Sequence, residues 1–314
     1  MRAVMSEPGT PTLDQLTVFL AIVEAGGFAA AARRLNRANS VVSYAIANLE
    51  AQLGLTLFDR AAAKTPVLTE AGKVVLAQAR VIAGDVADLK AKAKGLLQGL
   101  EAEVHLVLDV MLPTARVVDA LRAFREAFPT VTLRLHVEGL GAVTQMVLDR
   151  GAILGVAGPL DVVNGGDELV TIAIGSTLLI PVAAPSHPLA QGPNPPGAGR
   201  SHTQLVLTDR SRLTEGRDFA VASAHTWRLG DLGAKHILLK EGLGWGNMPE
   251  PMVREDLAAG RLKRLDMPEL VEAHYPLHAI YRGDTPPGPA TGFLIERLRG
   301  QSNDPHPSGE TGRP

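Results

Sequence analysis

The chain contains no cysteine among its 314 residues, which excludes disulfides, thiolate nucleophiles, CxxC redox sites and cysteine zinc sites. It also has no uninterrupted run of 18 apolar residues, the length that a membrane-spanning helix needs. Residues 1–8 have no apolar core of the kind found in signal peptides. Together these absences predict a cytoplasmic protein with no membrane partner.

Neither sign of charge is in excess, because 31 Lys and Arg stand against 33 Asp and Glu and give a net charge of −2. Any surface that attracts a polyanion must therefore be local. The 46% of hydrophobic residues can build a real core. The length favours two domains with a connector.

Motifs for catalysis are missing as well: the chain has no HExxH, GxSxG or phosphate-loop sequence. A GxGxG string lies at residues 242–246, but Asn247 stands where the dinucleotide fingerprint needs its last glycine. His274 and His278 have a helical metal spacing, yet Pro276 between them in a strand-like run argues against a metal site. The sequence therefore predicts no catalytic residue, no metal and no cofactor.

The N-terminal part shows three helical patterns in close succession. Apolar residues recur at helical spacing over residues 13–23, an alanine-rich helix is expected over 28–35, and a third covers 42–53. Asn and Ser in the break at 36–39 are expected to cap the third helix. Two short helices joined by a tight turn after a longer one are typical of a helix-turn-helix.

The start of the third helix carries short polar side chains, which in a helix-turn-helix reach base edges in the DNA major groove. These candidates are Asn39, Ser40, Ser43, Tyr44 and Asn48. Arg33, Arg34 and Arg37 lie in a stretch without acidic residues, which is locally +3 and suits phosphate contact. The alternative is a helical bundle whose arginines are merely solvated.

A winged extension and a long helix follow. Residues 55–58 and 66–68 flank a polar loop as a small β-wing would, and Thr69 is placed to cap the next helix. That helix has apolar residues spaced alternately by four and three, a heptad seam that needs a partner helix. The seam consists of Val75, Ala79, Ile82, Val86, Leu89, Ala93 and Leu96. It is expected to pair two copies of the chain, although packing on its own domain is the alternative.

Beyond Glu103 strand-like runs alternate with helices, which predicts α/β structure with largely parallel sheets. Strands are expected at residues 104–110, 131–137, 153–157, 169–174, 178–183, 205–208 and 277–281. Helices are expected at residues 115–128, 145–150, 232–240 and 250–259. The polar residues 301–314 have no apolar periodicity and are expected to be disordered.

The motifs of the first 72 residues, taken in order, resemble the LysR-type transcriptional regulators. They are Phe28-x-x-Ala31-Ala32-x-x-Leu35, Val42-Ser43-x-x-Ile46-x-x-Leu49-Glu50-x-x-Leu53-Gly54, Leu57-Phe58-x-Arg60 and Leu68-Thr69-x-Ala71-Gly72. Further markers are Trp227-Arg228-x-x-Asp231-x-x-x-Lys235, Gly242-Leu243-Gly244-Trp245-Gly246-x-Met248-Pro249 and Asp256-Leu257-Ala258-x-Gly260-Arg261-Leu262. The resemblance covers nearly the whole chain.

The resemblance implies a multi-domain chain: a winged helix-turn-helix, a long linker helix that dimerises, and an α/β effector domain like a type 2 periplasmic binding protein. The implied parts are a flexible lead-in at 1–11, the DNA-binding domain at 12–69, the linker at 70–98, the effector domain at 100–300 and a tail at 301–314. The effector domain would have two subdomains around a cleft, the first at about 103–174 and 278–300 and the second at about 175–277.

The family also implies partners: double-stranded DNA at an interrupted palindrome near a promoter, a small-molecule inducer, and further copies of the chain as a dimer or commonly a tetramer. RNA polymerase is a further candidate partner, and the DNA-bound protein would lie in the nucleoid. Arg60 and Lys64 of the wing would contact phosphates. The wing departs from the family, since residues 61–63 are alanines where basic residues are common.

The cleft residues follow from the family pattern. One lip would carry Asp109, Met111, Leu112 and Pro113, and the other Thr208, Arg210 and Trp227. Met111 stands where many members have Ser or Thr for an inducer carboxylate, which favours an apolar or aromatic inducer. Asp109 would repel a carboxylate whereas Arg210 would bind one, so the charge of the inducer stays open. For Trp227 and Trp245 taken singly, core packing is the favoured interpretation.

The leading interpretation is therefore a ligand-responsive transcription factor that binds DNA as a symmetric oligomer and has no catalytic activity. The alternative from another class is a small-molecule binding protein with a degenerate DNA module, suggested by the neutral wing. An enzyme has only the glycine string and scattered histidines in its favour.

Overall fold

A computed structural model of the chain describes residues 9–59, 66–159, 168–208, 211–215, 217, 219–268 and 273–299. It contains two compact units, the first ending at Lys94 and the second beginning at Gly95. Three predicted site residues, Arg60, Lys64 and Arg210, lie outside the described residues. So do the expected disordered tail at 301–314 and most of the expected lead-in.

The first unit has the helix-turn-helix predicted from apolar periodicity. Its elements are α1 (Leu13–Ala25), α2 (Phe28–Arg34), α3 (Asn39–Leu53), β1 (Phe58–Asp59), β2 (Val67–Leu68) and α4 (Glu70–Leu97). β1 and β2 pair antiparallel, as a wing does. Apolar faces of the helices form one core, in which the ring of Phe58 meets those of Phe19 and Phe28 edge-on at 5.5 and 5.4 Å.

Of the helix caps predicted from the sequence, the one at Thr69 is confirmed and those before α3 are wrong, and α1 has a cap that was not predicted. Thr12 and Gln15 form a reciprocal capping box at the start of α1. Thr69 Oγ1 accepts a hydrogen bond from the Gly72 amide at 2.9 Å, as expected. The Asn and Ser caps expected for α3 are wrong, because Ala38 is the N-cap and makes no side-chain hydrogen bond. Asn36 instead forms the preceding turn with a φ of 56°.

Replacing Thr12 with alanine is expected to loosen α1, because the Gln15 amide loses its side-chain acceptor. A lost N-cap costs about 1 kcal/mol, or roughly a fivefold rise in amide exchange across the first turn. Hydrogen–deuterium exchange with mass spectrometry on peptides covering α1 measures this. Thr17→Ala is the control, since Thr17 is exposed in the middle of the same helix. Equal exchange in both variants would show that the capping box contributes nothing.

The described residues of the second unit build one nine-stranded sheet. Its strands are β3 (Glu103–Asp109), β4 (Thr132–Glu138), β5 (Leu154–Ala157), β6 (Leu169–Ala183), β7 (Gln204–Leu207), β8 (Thr226–Leu229), β9 (Trp245–Pro249), β10 (Lys263–Arg264) and β11 (Ala273–Arg282). The order along the sheet is β4-β3-β5-β11-β6-β9-β7-β8, with β10 beside β6. Its helices are α5 (Thr114–Ala127), α6 (Gly141–Leu148), α7 (Leu232–Lys240), α8 (Glu250–Ala258) and α9 (Pro289–Arg299).

The expectation of a largely parallel sheet is wrong, because the sheet is mixed. β3 pairs parallel with β4 and β5 at one end, and β7 pairs parallel with β8 and β9 at the other. Between them β6 and β11 run antiparallel to each other over most of their length. β6 is one strand where two were expected, since the chain continues through Gly175 with a φ of 112°.

The two long strands join two α/β halves. β11 pairs with β5 of the first half through residues 278–280, while β6 pairs with β9 of the second half through residues 179–183. The subdomain boundaries expected near residues 175 and 277 fall within these strands. Trp245 is fully buried in the second half and donates its indole N–H to the Gly199 carbonyl, so the core interpretation of this tryptophan is confirmed.

Within the described part of the chain, no single helix is long and apolar enough to cross a membrane. α1 and α2 pass that test only as a pair bent by 115°.

Candidate functional site

The exposed face of α3 carries the residues expected to read DNA. A helix turns once in 3.6 residues, so Val42, Ile46 and Leu49 share one face and are buried in the core of the first unit. The opposite face is polar and open to solvent. On it lie Asn39, Ser40, Ser43 and Tyr44, with Asn48 half-buried one turn later.

Val41 adds an exposed apolar side chain to this face of α3, which the sequence reasoning missed. It is 48% exposed and lies one turn before Tyr44, whose side chain is 69% exposed. An apolar side chain on a groove-facing helix can contact a thymine methyl group. The sequence could have indicated the exposure of Val41, because a residue three positions before Tyr44 lies on the same face of the helix.

The arginines near the turn are less available than their sequence suggests. The guanidinium of Arg34 lies 2.8 Å from Glu24, and Arg37 binds both carboxylate oxygens of Asp14 at 2.7 and 2.8 Å. The hydrogen bond from Arg37 holds the pKa of Asp14 below its usual value. The local charge of +3 is therefore largely neutralised by acids of α1. Arg33 is exposed and has no carboxylate partner among the described residues.

The heptad seam on α4 divides into two parts. Ala79 is buried in the core of the first unit and Val75 packs against it, so these two residues are not available for pairing with another copy. Further along, Val86 is half-buried, while Leu89, Ala93 and Leu96 are exposed. The beginning of the seam therefore packs on its own unit, as the alternative interpretation expected, and its end is uncovered. Pairing of that end with another copy stays a prediction.

A cavity of about 260 Å³ lies between the two halves of the second unit. Its wall is mostly apolar and draws residues from both halves and from β11. The lining residues are Met111, Leu140, Pro159, Leu179, Gln204, Leu205, Val206, Leu207, Phe219, Ala220, Lys235, Asn247, Ala273, His274 and Tyr275. A concave, largely apolar site with a few polar groups is the usual form of a small-molecule site.

Asp109 lies beside the wall and not on it. Its carboxylate is 1% exposed, and it accepts hydrogen bonds from the Met111 amide and the Tyr275 hydroxyl, each at 2.8 Å. Thr177 donates its hydroxyl to the Met111 carbonyl at 3.1 Å. The assignment of Asp109 as a ligand contact is therefore wrong: its carboxylate fixes the backbone of Met111 and the ring of Tyr275, which do line the cavity.

Of the other residues expected in the cleft, Met111 lies in the wall and four do not. Leu112 is buried in the core, and Pro113 is the N-cap of α5. Thr208 closes the end of β7 by donating its amide to the Leu229 carbonyl. Trp227 is 50% exposed on β8, because that strand is the outer edge of the sheet.

Among the polar residues of the wall that the sequence reasoning missed are Gln204 and Lys235. Gln204 holds a loop, donating to the Ala220 carbonyl and accepting from the Ala222 and Ser223 amides. Lys235 is buried on α7 and donates from Nζ to the Asn247 carbonyl at 2.7 Å. Burial lowers its pKa to about 8. The sequence could have indicated the burial of Lys235, because its spacing from Leu232 and Leu239 places it on the apolar face of α7.

No cluster of three His, Asp or Glu side chains that could hold a metal ion occurs within the described ranges. His274 and His278 lie on strand β11, not on a helix.

Two protein-family models match the chain. Residues 13–73 match the bacterial regulatory helix-turn-helix protein of the lysR family, and residues 97–303 match the LysR substrate binding domain. The chain belongs to the LysR family of transcriptional regulators. It is thus a DNA-binding regulator with an effector-binding domain, and the family is not an enzyme class.

Among curated LysR-type relatives, AceR of Acinetobacter baumannii is 28% identical over 94% of this chain and 98% of its own. A probable regulator of Escherichia coli, YhaJ, is 29% identical over 82% of this chain and 87% of its own. A cysteine mutant of Corynebacterium glutamicum OxyR shares the fold, with a TM-score of 0.51, 19% identity and 94% of each chain covered. The LysR assignment and the two-part fold predicted from sequence are confirmed, and the degenerate-module alternative has no support.

Proposed function

We propose that this LysR-family protein binds an interrupted palindrome as a pair of chains joined through the exposed end of the α4 seam. Each copy of α3 would enter a major groove, with Asn39, Ser43 and Tyr44 at base edges. The observation that carries this proposal is the exposed polar face of α3, backed by a fully apolar buried face. Of the three arginines near the turn, Arg33 has no carboxylate partner among the described residues and would contact phosphate.

The second part of the proposal concerns the effector. A small molecule in the 260 Å³ cavity contacts both halves of the second unit, which are connected by β6 and β11. A ligand that fits one arrangement of the halves better shifts the population toward it. That shift would change how the DNA-bound protein in the cytoplasm touches its operator or RNA polymerase.

Selection of binding sites from a random duplex pool, followed by titration at fixed salt, tests the DNA-reading proposal. We expect a dyad-symmetric site. Asn39→Ala and Ser43→Ala should each weaken binding to it by about 1–3 kcal/mol and relax the base preference at the position that the side chain reads. Arg33→Ala should weaken all sequences similarly and lower the salt slope by about one, since it removes a single phosphate-binding cation.

Thr17→Ala on α1 is the control, since its side chain is exposed and lies outside α3. It should bind the selected site as the wild type does. If both α3 variants also bind with unchanged affinity and preference, this face of α3 does not read the bases.

A further inference from the structure

The cavity of the second unit has a single lysine or arginine among its described lining residues, and that residue is buried. Lys235 is 3% exposed although its ammonium group ordinarily seeks water. A buried charge is costly unless a partner compensates it. Within the described part of the chain, no carboxylate lies within ion-pair distance of Lys235.

The hydrogen bonds of Lys235 are also incomplete. An ammonium group has three N–H donors and no acceptor. One donor of Lys235 is used by the Asn247 carbonyl, and Asn247 lines the same cavity. The remaining donors and the positive charge are left for another partner.

The neighbouring backbone leaves room for the buried side chain of Lys235. A Cβ atom at Gly246 would come 3.1 Å from Cε and 3.4 Å from Nζ of Lys235, and 2.7 Å from the Leu205 carbonyl oxygen. Glycine at this position therefore leaves the room that the lysine occupies. Burial disfavours the charged form of Lys235 and lowers its pKa to about 8. A bound anion would act in the opposite direction and favour the charged form.

The remaining charges near the cavity fit an anion with one carboxylate. Asp109, which was expected to repel a carboxylate, is buried outside the lining of the cavity, where it accepts hydrogen bonds from the Met111 amide and the Tyr275 hydroxyl. His274 is exposed, and no second lysine or arginine is found among the lining residues that the structure describes. Most of the wall is apolar, which suits the body of the ligand and not a second charge.

We propose that Lys235 binds the carboxylate of a small monocarboxylic acid whose apolar body fills the cavity. The proposal rests on the effector function of this cavity and gives that effector a chemical class. A dicarboxylate would leave its second charge against an apolar wall, and a cationic ligand would meet the ammonium group of Lys235.

Thermal shift and calorimetry of the full chain with matched ligands test the proposal. The panel contains benzoate, cinnamate, phenylacetate, 4-methylpentanoate and hexanoate, each beside its neutral amide and its amine. We expect one or more acids to bind, and their amides and amines to bind at least about 30-fold more weakly, because they cannot form the charge-assisted hydrogen bond. Lys235→Met should remove the preference for acid over amide.

Lys263→Met is the matched control, because Lys263 is exposed on β10 and does not line the cavity. Lys235→Gln is a second variant that keeps a donor for the Asn247 carbonyl and removes the charge, so a loss of acid binding in both variants is due to charge and not to misfolding. Circular dichroism reports whether each variant is folded.

Amides or amines that bind as tightly as acids, or acids that bind Lys235→Gln as they bind the wild type, would overturn the anion proposal. The effector function would survive that result if the neutral or cationic ligands changed operator binding. If no acid of the panel raises the melting temperature, the anion proposal is overturned, whereas the effector function of the cavity is judged separately by whether a ligand of any charge changes operator binding. The proposal that α3 reads the DNA bases is tested without ligand, so none of these results bears on it.

Discussion

Placing glutamate at Leu89 is expected to weaken binding to the palindromic operator by about 10²–10⁴ while leaving both units of the chain folded. The side chain of Leu89 is 67% exposed in a single chain, so the change costs the monomer little. In a paired α4 seam the same glutamate would be buried without a cation, which is strongly unfavourable. The dimer would therefore dissociate.

Dissociation lowers DNA affinity because the two α3 helices then bind independently. Two linked modules gain about 10²–10⁴ in affinity when the second binding event becomes intramolecular. We expect the affinity to fall by that factor for the selected palindrome and almost not at all for a single half-site. Sedimentation velocity gives the oligomeric state, and titration of both duplexes gives the affinities.

The control for this variant is Ala87→Glu. Ala87 is exposed and lies two residues away, outside the seam. It should stay dimeric and bind the palindrome normally. A Leu89→Glu protein that still sediments as a dimer would overturn the proposal that the exposed end of the seam, from Leu89 to Leu96, joins the two chains.

The helix-turn-helix could be read from the sequence because its signals are local. Apolar spacing and the glycines after α1 and α3 identify those helices, and Thr69 identifies the start of α4. The ion pairs could not be read in this way. Arg37 and Asp14 are 23 residues apart in sequence, and their contact exists only because α1 packs across the turn.

The direction of the strands in the sheet was predicted wrongly for a similar reason. Periodicity shows that a strand exists, but strand direction and order depend on how distant segments pair. The bend at Gly175 looked like the end of a strand, whereas the backbone passes through it with a positive φ and the Ile174 carbonyl accepts from Arg116 at 2.9 Å. β8 was not expected at all, and so its position at the sheet edge, which removes Trp227 from the cavity, was missed.

The residues at the end of the first strand were predicted to line the cavity. This is correct for Met111 and incorrect for Asp109. The first strand ends at Asp109 and the backbone turns at residues 110–111, so the regular alternation of an extended strand does not carry over to Met111. Met111 lines the cavity, whereas Asp109 is buried outside its lining. Lys235 was part of a family-like motif, but the burial that makes it unusual comes from β9 and β7 packing on α7.

Replacing Asp109 with alanine is expected to destabilise the second unit by about 2–5 kcal/mol. The carboxylate is buried and accepts hydrogen bonds from the Met111 amide and the Tyr275 hydroxyl. Its removal leaves both donors without that acceptor, and an unsatisfied buried polar group costs about 1–3 kcal/mol. Because Met111 and Tyr275 line the cavity, ligand binding should weaken together with stability.

Tyr275→Phe separates the two hydrogen bonds. It removes one donor and leaves the bond from the Met111 amide to Oδ1 of Asp109, so the destabilisation should be about 1 kcal/mol, clearly smaller than for Asp109→Ala. Urea unfolding followed by tryptophan fluorescence measures both variants. The signal reports on the second unit alone, since Trp227 and Trp245 are the only tryptophans of the chain. An unfolding midpoint of Asp109→Ala equal to that of the wild type would mean that this carboxylate does not hold the cavity wall in place.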